Sequence, residues 1–348
     1  MINEKIIIRK DISMYEALKI MDDLERKLLI ICEDNVFHGV ISVGDIQRAL
    51  LKKEDLSQIV WKFVRNDIIY ANEESSIEEI KRKMKAERIE CMPVVHKGIL
   101  VDVIEWKDVF PDEQNMTHTI NYPVFIMAGG EGSRLRPLTN FIPKPLIPIS
   151  DKTIIEEIMN CFCDIGCNDF YISVNYMADK IVEYFKNKTS SKYRITFVKE
   201  NKPLGTGGSL FLLKDKFTTT FFVSNCDILV DINFEDLLAY HHSNGNIATV
   251  VSVLKNYSIP YGTLETSEGG QLTALKEKPF ITYQINSGLY VLEPDIFTYM
   301  KKEEFIHITE LFGRLLDNGQ RVGVFPISEG SWKDIGNWKA YMDSINMR

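Results

Sequence analysis

Pro123-Val124-Phe125-Ile126-Met127-Ala128 runs directly into Gly129-Gly130-Glu131-Gly132-Ser133-Arg134-Leu135-Arg136-Pro137-Leu138-Thr139. An apolar run with no polar interruption suits a strand buried on both faces, as in a parallel sheet covered by helices. The glycines that follow carry no Cβ, so backbone N–H groups can approach a polyphosphate while Arg134 and Arg136 neutralise it. The pattern fits neither common nucleotide loop. No Gly-Lys-Ser/Thr is present, and the third glycine of a dinucleotide fingerprint is replaced near Leu135. Alone, such a cluster reads sooner as a tight turn.

It is not alone. Pro143-Lys144-Pro145-Leu146 follows, where two prolines fix the backbone on each side of one lysine and so aim its ammonium. Gly-Gly-x-Gly-Ser-Arg-Leu-x-Pro-Leu-Thr followed by Pro-Lys-Pro-Leu resembles the signature of the sugar-1-phosphate nucleotidyltransferases, and the resemblance extends over residues 122–348. Ser133 stands where Thr is usual. The family's next segments come in order. Glu200-Asn201-Lys202-Pro203-Leu204-Gly205-Thr206-Gly207-Gly208 resembles its second glycine loop, which approaches the base and ribose. Phe221 to Asp227 is an apolar strand ending in a carboxylate, the end at which ligands bind in sheets of this class. Ser331-Trp332-Lys333-Asp334-Ile335-Gly336 resembles the element supplying a second metal carboxylate.

The resemblance implies an α/β domain, Rossmann-like (GT-A-like), with a mixed, mainly parallel sheet. It also implies a set of roles. Ala128, Gly129, Gly130, Gly132, Ser133, Glu200, Gly205, Thr206 and Gly207 would bind the nucleotide. Asp227 and Asp334 would hold Mg²⁺, which needs only one or two carboxylates when phosphate oxygens complete its shell. Lys144, Gly262, Glu277, Lys278 and Asn286 would meet the sugar phosphate. Arg134, Lys144, Asp227 and Lys278 would be catalytic. Taken singly, Lys278 reads as a solvated lysine, Asn286 as a turn former and Asp227 as a helix cap; their joint occurrence in order favours the site.

Ahead of this stretch, one helix–strand–strand–helix unit occurs twice. The first unit has Ser13 to Leu18, Leu28 to Cys32, a turn at Glu33-Asp34-Asn35, Gly39 to Ser42, and Asp45 near a helix start. The second has Ser76 to Ile80, Met92 to Val95, a turn at Lys97-Gly98, Leu100 to Ile104, and Asp108. The pair resembles tandem CBS (α+β) domains. Residues 1–56 are expected to form the first, 57–112 the second, 113–121 a polar linker, and 122–348 the transferase domain. In that family a hydroxyl and an Asp three residues later hold an adenine nucleotide's ribose, a pattern that Ser42 and Asp45 match. Asp108 matches as well, although Glu105 replaces the hydroxyl. The plain alternative for both aspartates is helix capping.

A length of 348 residues suits roughly two domains at about 150 residues each. With 45% hydrophobic and 26% charged residues, a wholly disordered, collagenous or disulfide-scaffold chain is excluded. The net charge of −8 argues against nucleic acid and anionic membranes as partners, so anionic substrates need individually placed cations. No signal peptide and no apolar run near the ~20 residues of a membrane span is evident, which points to the cytoplasm. Cys161, Cys163 and Cys167 lie close together, but the helical periodicity of 153–165 favours core packing over a metal. His38, His96, His118, His241, His242 and His307 are scattered and read as structural or surface residues.

The reaction implied is Mg²⁺-dependent attack of a sugar-1-phosphate on the α-phosphorus of a nucleoside triphosphate, releasing pyrophosphate. The CBS fusion narrows the resemblance to guanylyltransferases that convert GTP and glucosamine-1-phosphate to a GDP-amino sugar for legionaminic acid and surface glycans. A mannose-1-phosphate guanylyltransferase is the nearest alternative, followed by thymidylyl or uridylyl transfer to glucose-1-phosphate. A non-catalytic nucleotide sensor is the alternative outside enzymes; the presence of Asp227, Asp334, Lys144 and Lys278 favours an enzyme. A homo-oligomer, with the CBS pair regulating it by binding a nucleotide, is also expected.

Overall fold

The structure is a computed structural model describing residues 4–65, 68–87, 91–110, 120–149, 151–186, 188 and 192–346. It divides into two compact units, Met1–Thr117 and His118–Arg348. Residues 113–119 of the predicted linker, and His118 with them, lie outside the described residues.

In the first unit the elements run β1 (Ile7–Ile8), α1 (Met14–Asp23), β2 (Leu28–Glu33), β3 (Val36–Ser42), α2 (Val43–Leu51), β4 (Ala71–Asn72), α3 (Ile77–Glu87), β5 (Cys91–His96), β6 (Ile99–Glu105) and α4 (Trp106–Val109). Local chemistry sets their boundaries. Ser13 accepts from the Glu16 N–H at 3.1 Å while its own N–H donates to Glu16 Oε2 at 2.8 Å, a reciprocal cap that starts α1. The turn between β2 and β3 puts Asp34 and Asn35 at φ of 50° and 64°, a region those two side chains tolerate. The strands of both repeats join one six-stranded sheet in the order β1-β2-β3-β6-β5-β4.

The second unit opens with β7 (Val124–Met127), a hairpin of β8 (Pro148–Ile149) and β9 (Lys152–Thr153), then α5 (Ile154–Cys163), β10 (Asp169–Val174), α6 (Ala178–Lys186), β11 (Arg194–Lys199), α7 (Gly205–Gly208), β12 (Phe221–Asn225), β13 (Ile228–Val230) and α8 (Phe234–Ser243). It continues with β14 (Ala248–Ser258), β15 (Thr263–Thr266), β16 (Leu272–Lys276), β17 (Phe280–Leu292), α9 (Ile308–Asp317), β18 (Val322–Ile327), β19 (Trp332–Asp334) and α10 (Trp338–Asn346). Seven strands form one sheet in the order β11-β10-β7-β12-β17-β14-β18. Strand β17 pairs antiparallel with both neighbours, whereas the other neighbouring pairs are parallel. The unit is therefore the mixed, mainly parallel α/β sheet expected.

Strand β7 sits near the middle of this sheet, and its side chains divide between two cores. Val124 and Ile126 pack with Ile154, Ile155, Ile158 and Phe162 of α5. Phe125 and Met127 pack with Leu210, Leu213, Leu311 and Leu315 on the opposite face. The unbroken apolar run thus reflects burial on both sides. No described helix is long and apolar enough to cross a membrane.

Cys161 and Cys163 lie half-buried on α5, and Cys167 is fully buried with its thiol donating to the Ile120 carbonyl at 2.9 Å. Burial pushes the three thiols up to about 11, 11 and 12, which disfavours thiolate chemistry.

Candidate nucleotide and phosphate site

The loop after β7 folds back onto Lys144. Gly132 takes φ 65°, and a Cβ there would stand 2.9 Å from Lys144 Cβ and 3.0 Å from Thr139 Cγ2, so glycine is required by both conformation and space. Thr139 Oγ1 donates to the Gly132 carbonyl at 3.0 Å and pins the loop. Lys144, between its two prolines, is only 7% exposed. Its ammonium donates to Asp227 Oδ2, and the Arg134 guanidinium lies 3.6 Å from the same oxygen. Arg134 itself remains open to solvent, as a group meeting a polyphosphate should be.

Asp227 lies just beyond β12, where the chain turns into β13. Strand β13 pairs antiparallel with β19 in the register Ile228↔Asp334, and the Ile335 N–H donates to the Asp227 carbonyl at 2.8 Å. Two aspartates far apart in sequence thereby become neighbours. A Cβ built on Gly336 would stand 2.6 Å from Asp334 Oδ1, 2.8 Å from an Arg134 nitrogen and 3.1 Å from Asp227 Oδ2. Both carboxylates and the arginine face one small space that a side chain at 336 would fill. Hard oxygen donors converging beside the glycine loop after β7 fit a divalent cation of the Mg²⁺ kind.

The wall opposite is the second glycine segment. Gly205 takes φ 76°, and a Cβ there would come within 2.5 Å of the Ile306 carbonyl. The Gly207 N–H donates to that carbonyl at 2.9 Å, and Thr206 Oγ1 accepts from the Ile308 N–H at 3.1 Å. The loop is thus fastened to the segment leading into α9. Buried Glu200 accepts from the Leu204 N–H at 3.3 Å, and burial pushes its carboxyl above the usual range. Between the walls lies a cavity of about 540 Å³.

Gly129, Gly130, Gly132, Ser133, Arg134, Lys144, Glu200, Gly205, Thr206 and Asp227 all line that cavity. Ala128 and Gly207, expected to bind nucleotide, are not among its lining residues: Ala128 is buried, and the Gly207 N–H is spent on Ile306. Conversely, Asn175, Tyr176 and Phe305 line it without having been singled out, and His307 lines it too. His307, read as structural or surface, is exposed and caps α9, its N–H donating to Glu310 Oε2 at 2.8 Å, and its ring stands 5.1 Å from Phe305 at the cavity wall. These residues belong to no glycine or proline motif, so only the folded chain reveals them.

Of the residues expected on the sugar side, Lys144 lines the cavity, whereas Gly262, Glu277, Lys278 and Asn286 lie outside its lining. Gly262 lies before β15, and its built Cβ would be 3.0 Å from Glu277 Oε2. Lys278 is exposed at φ 45°, following β16. Asn286 on β17 donates to the Tyr290 hydroxyl at 2.9 Å and accepts from the Gly288 N–H at 2.9 Å. Gly288 in turn abuts Asn225 of the cavity, since a Cβ there would meet the Asn225 amide at 2.4 Å.

In the first unit Ser42 caps α2, and Asp45 completes the cap: the Ser42 N–H donates to Asp45 Oδ2 at 2.9 Å and the Asp45 N–H to Ser42 Oγ at 3.2 Å. Arg48 and Arg65 also pair with Asp45, Arg65 at 2.7 Å. Burial raises the Asp45 carboxyl, but the Arg65 and Ser42 hydrogen bonds outweigh it and the net shift is downward. Asp108 likewise takes the third helical position of a cap, accepting from the Glu105 N–H at 3.2 Å, while Glu105 forks with Arg26 at 2.8 and 3.0 Å. Both aspartates therefore perform the capping role.

The chain matches the nucleotidyl transferase family over residues 124–347 and the CBS domain over residues 1–52 and 57–111. The catalytic subunit beta of mannose-1-phosphate guanylyltransferase from Xenopus tropicalis is 32% identical over 230 residues, 64% of this chain and 63% of that protein. The mannose-1-phosphate guanyltransferase of Schizosaccharomyces pombe is 34% identical over 226 residues, 62% of this chain and 61% of that protein. The aligned stretch is thus less than two thirds of either relative. Among solved structures, HddC from Yersinia pseudotuberculosis superimposes with a TM-score of 0.52 at 26% identity, covering 65% of this chain and 99% of that one. The chain belongs to the nucleotidyl transferase family, with tandem CBS domains ahead of its transferase domain.

Proposed function

We propose that the protein transfers a guanylyl group from GTP to a hexose-1-phosphate, making a GDP-sugar and pyrophosphate in the cytoplasm. The observation that carries this reading is the meeting of Lys144, Arg134, Asp227 and Asp334 at the mouth of a glycine-lined cavity. Two anions must be brought together, so catalysis is chiefly charge neutralisation and in-line positioning. The N–H groups around Gly129 to Ser133 cradle the triphosphate, and Arg134 takes up the charge of the departing pyrophosphate. Lys144 leaves Asp227 to bind the reacting phosphates. When bound, Mg²⁺ on Asp227 and Asp334 supplies further neutralisation of those oxygens. Lys278, Glu277 and Gly262, which flank the β15–β16 hairpin, and Asn286 on β17 are assigned to the sugar phosphate.

The guanine preference is supported by the mannose-1-phosphate guanylyltransferases named above. For the sugar, glucosamine-1-phosphate is proposed from the resemblance of the CBS fusion, with mannose-1-phosphate as the second reading because those relatives bear that name. They lend no support to legionaminic acid synthesis, which rests on the fusion alone. The first unit is proposed to regulate turnover by binding a nucleotide where Arg48 and Arg65 now hold Asp45. Four nucleoside triphosphates should be tested against glucosamine-, mannose- and glucose-1-phosphate, reading pyrophosphate release. GTP is expected to outrun the rest; dTTP or UTP leading would overturn the guanylyl reading.

A further inference from the structure

His241, His242 and Glu293 converge far from the phosphate site. Strands β12 and β17 are antiparallel with Phe221 opposite Leu292, so Glu293 lies beside the start of β12, whereas Asp227 follows its end. The two clusters therefore lie at opposite ends of the strands. Adjacent histidines near the end of α8 both turn to one carboxylate: His241 Nε2 is 3.0 Å, and His242 Nδ1 3.7 Å, from Glu293 Oε1. All three donor atoms lie within 4.8 Å of one another.

We propose that these residues bind a divalent transition metal of the zinc class, at a structural site distinct from the Mg²⁺ aspartates. Four donors about 2.0 Å from a tetrahedral zinc stand roughly 3.3 Å apart, and the two histidine–carboxylate separations bracket that spacing. Two imidazoles and one carboxylate suit zinc and leave one position for water. The outer shell is also built. His241 is 0% exposed, and its Nδ1 lies 2.8 Å from Thr249 Oγ1, which in turn accepts from the Asn246 amide at 3.0 Å. That bond fixes the ring and leaves Nε2 as the donor toward the ion, the arrangement that metal-ligating histidines adopt. Glu293 Oε1 also accepts from the Thr220 hydroxyl at 2.7 Å, which holds the carboxylate in place. His242 is about half-exposed, so an ion can enter. Bound metal would tie α8 to the start of β12, the end of β17 and the start of β14.

The test uses the full chain, stripped with chelator and held in excess Mg²⁺ to occupy Asp227 and Asp334. Zn²⁺ is titrated calorimetrically, with Co²⁺ as a visible probe of tetrahedral coordination. Wild type should take up one Zn²⁺ that raises its melting temperature. The His242→Ala change, at a half-exposed position, should weaken that site at least about 100-fold, and Thr249→Val by about 10- to 100-fold, with Mg²⁺-supported turnover unchanged in His242→Ala. A wild-type chain that holds no Zn²⁺, or a His242→Ala chain that holds it equally well, overturns the proposal.

Discussion

The proposed chemistry depends on Asp227 more than on any other single residue. Its carboxylate receives Lys144 in a largely buried pair and has Arg134 beside it. Asp227→Asn keeps the shape but leaves a buried ammonium without its counter-charge. Turnover should fall by at least about 100-fold, as when a preorganised charge is removed from a reaction centre. Urea melting should show a loss of about 3 kcal/mol, the scale for breaking a buried pair. Near-normal Mg²⁺-dependent activity in that variant would defeat the assignment. Gly336 tests the same spot from the other side: in Gly336→Ala the methyl would press on Asp334, Arg134 and Asp227. The Mg²⁺ concentration for half-maximal turnover should rise about 10-fold or more while the fold survives, because small displacements of positioned groups are costly. Asp227 and Asp334 were legible as motif members. Their apposition was not, since it depends on β13 pairing with β19 across a long stretch of chain.

At the level of elements, the glycines of α7 belong as much to packing as to ligand binding. A Cβ on Gly208 would stand 2.3 Å from the Glu304 carbonyl, a backbone atom that cannot rotate away. Gly208→Ala should therefore cost about 1–3 kcal/mol by overpacking. It should also raise KM for the nucleotide, because the segment it displaces carries Phe305 and His307 along the cavity wall. A variant with wild-type melting and wild-type KM would show that this contact is not needed. Strand β7 was readable because burial on both faces leaves an unmistakable apolar run. The Phe305–His307 segment was not, since an irregular stretch whose role is to be approached by glycines has no pattern of its own. The sugar-side residues were readable as motifs.

For the whole molecule, the net charge of −8 conceals the meeting of Arg134 and Lys144 at Asp227, where the proposal places phosphate. The acidic residues have their own signature in pH dependence. Asp45, Glu156 and Glu293 all have folded values below their ordinary ones, held there by hydrogen bonds and ion pairs that outweigh burial. A lowered carboxyl adds stability that is fully present above its unfolded value, about pH 4, and is lost as pH falls through the folded value. Chemical-denaturation midpoints should therefore drop between pH 5 and about pH 3, less steeply in Asp45→Asn for the first unit's transition. An unchanged slope in that variant would contradict the role given to Arg65 and Ser42. Removing residues 1–112 should alter the response to added nucleotides; identical turnover and oligomeric state with and without them would leave the first unit no regulatory part.

Pyrophosphate release by the intact chain, given GTP with and without a hexose-1-phosphate and with Mg²⁺ or chelator, bears most directly on guanylyl transfer at this site. Release should require GTP, the sugar phosphate and Mg²⁺ together, and should vanish in Asp227→Asn. Release that proceeds without the sugar phosphate, or no release with any sugar phosphate offered, would contradict transfer and leave the cavity a site for nucleotide binding or hydrolysis.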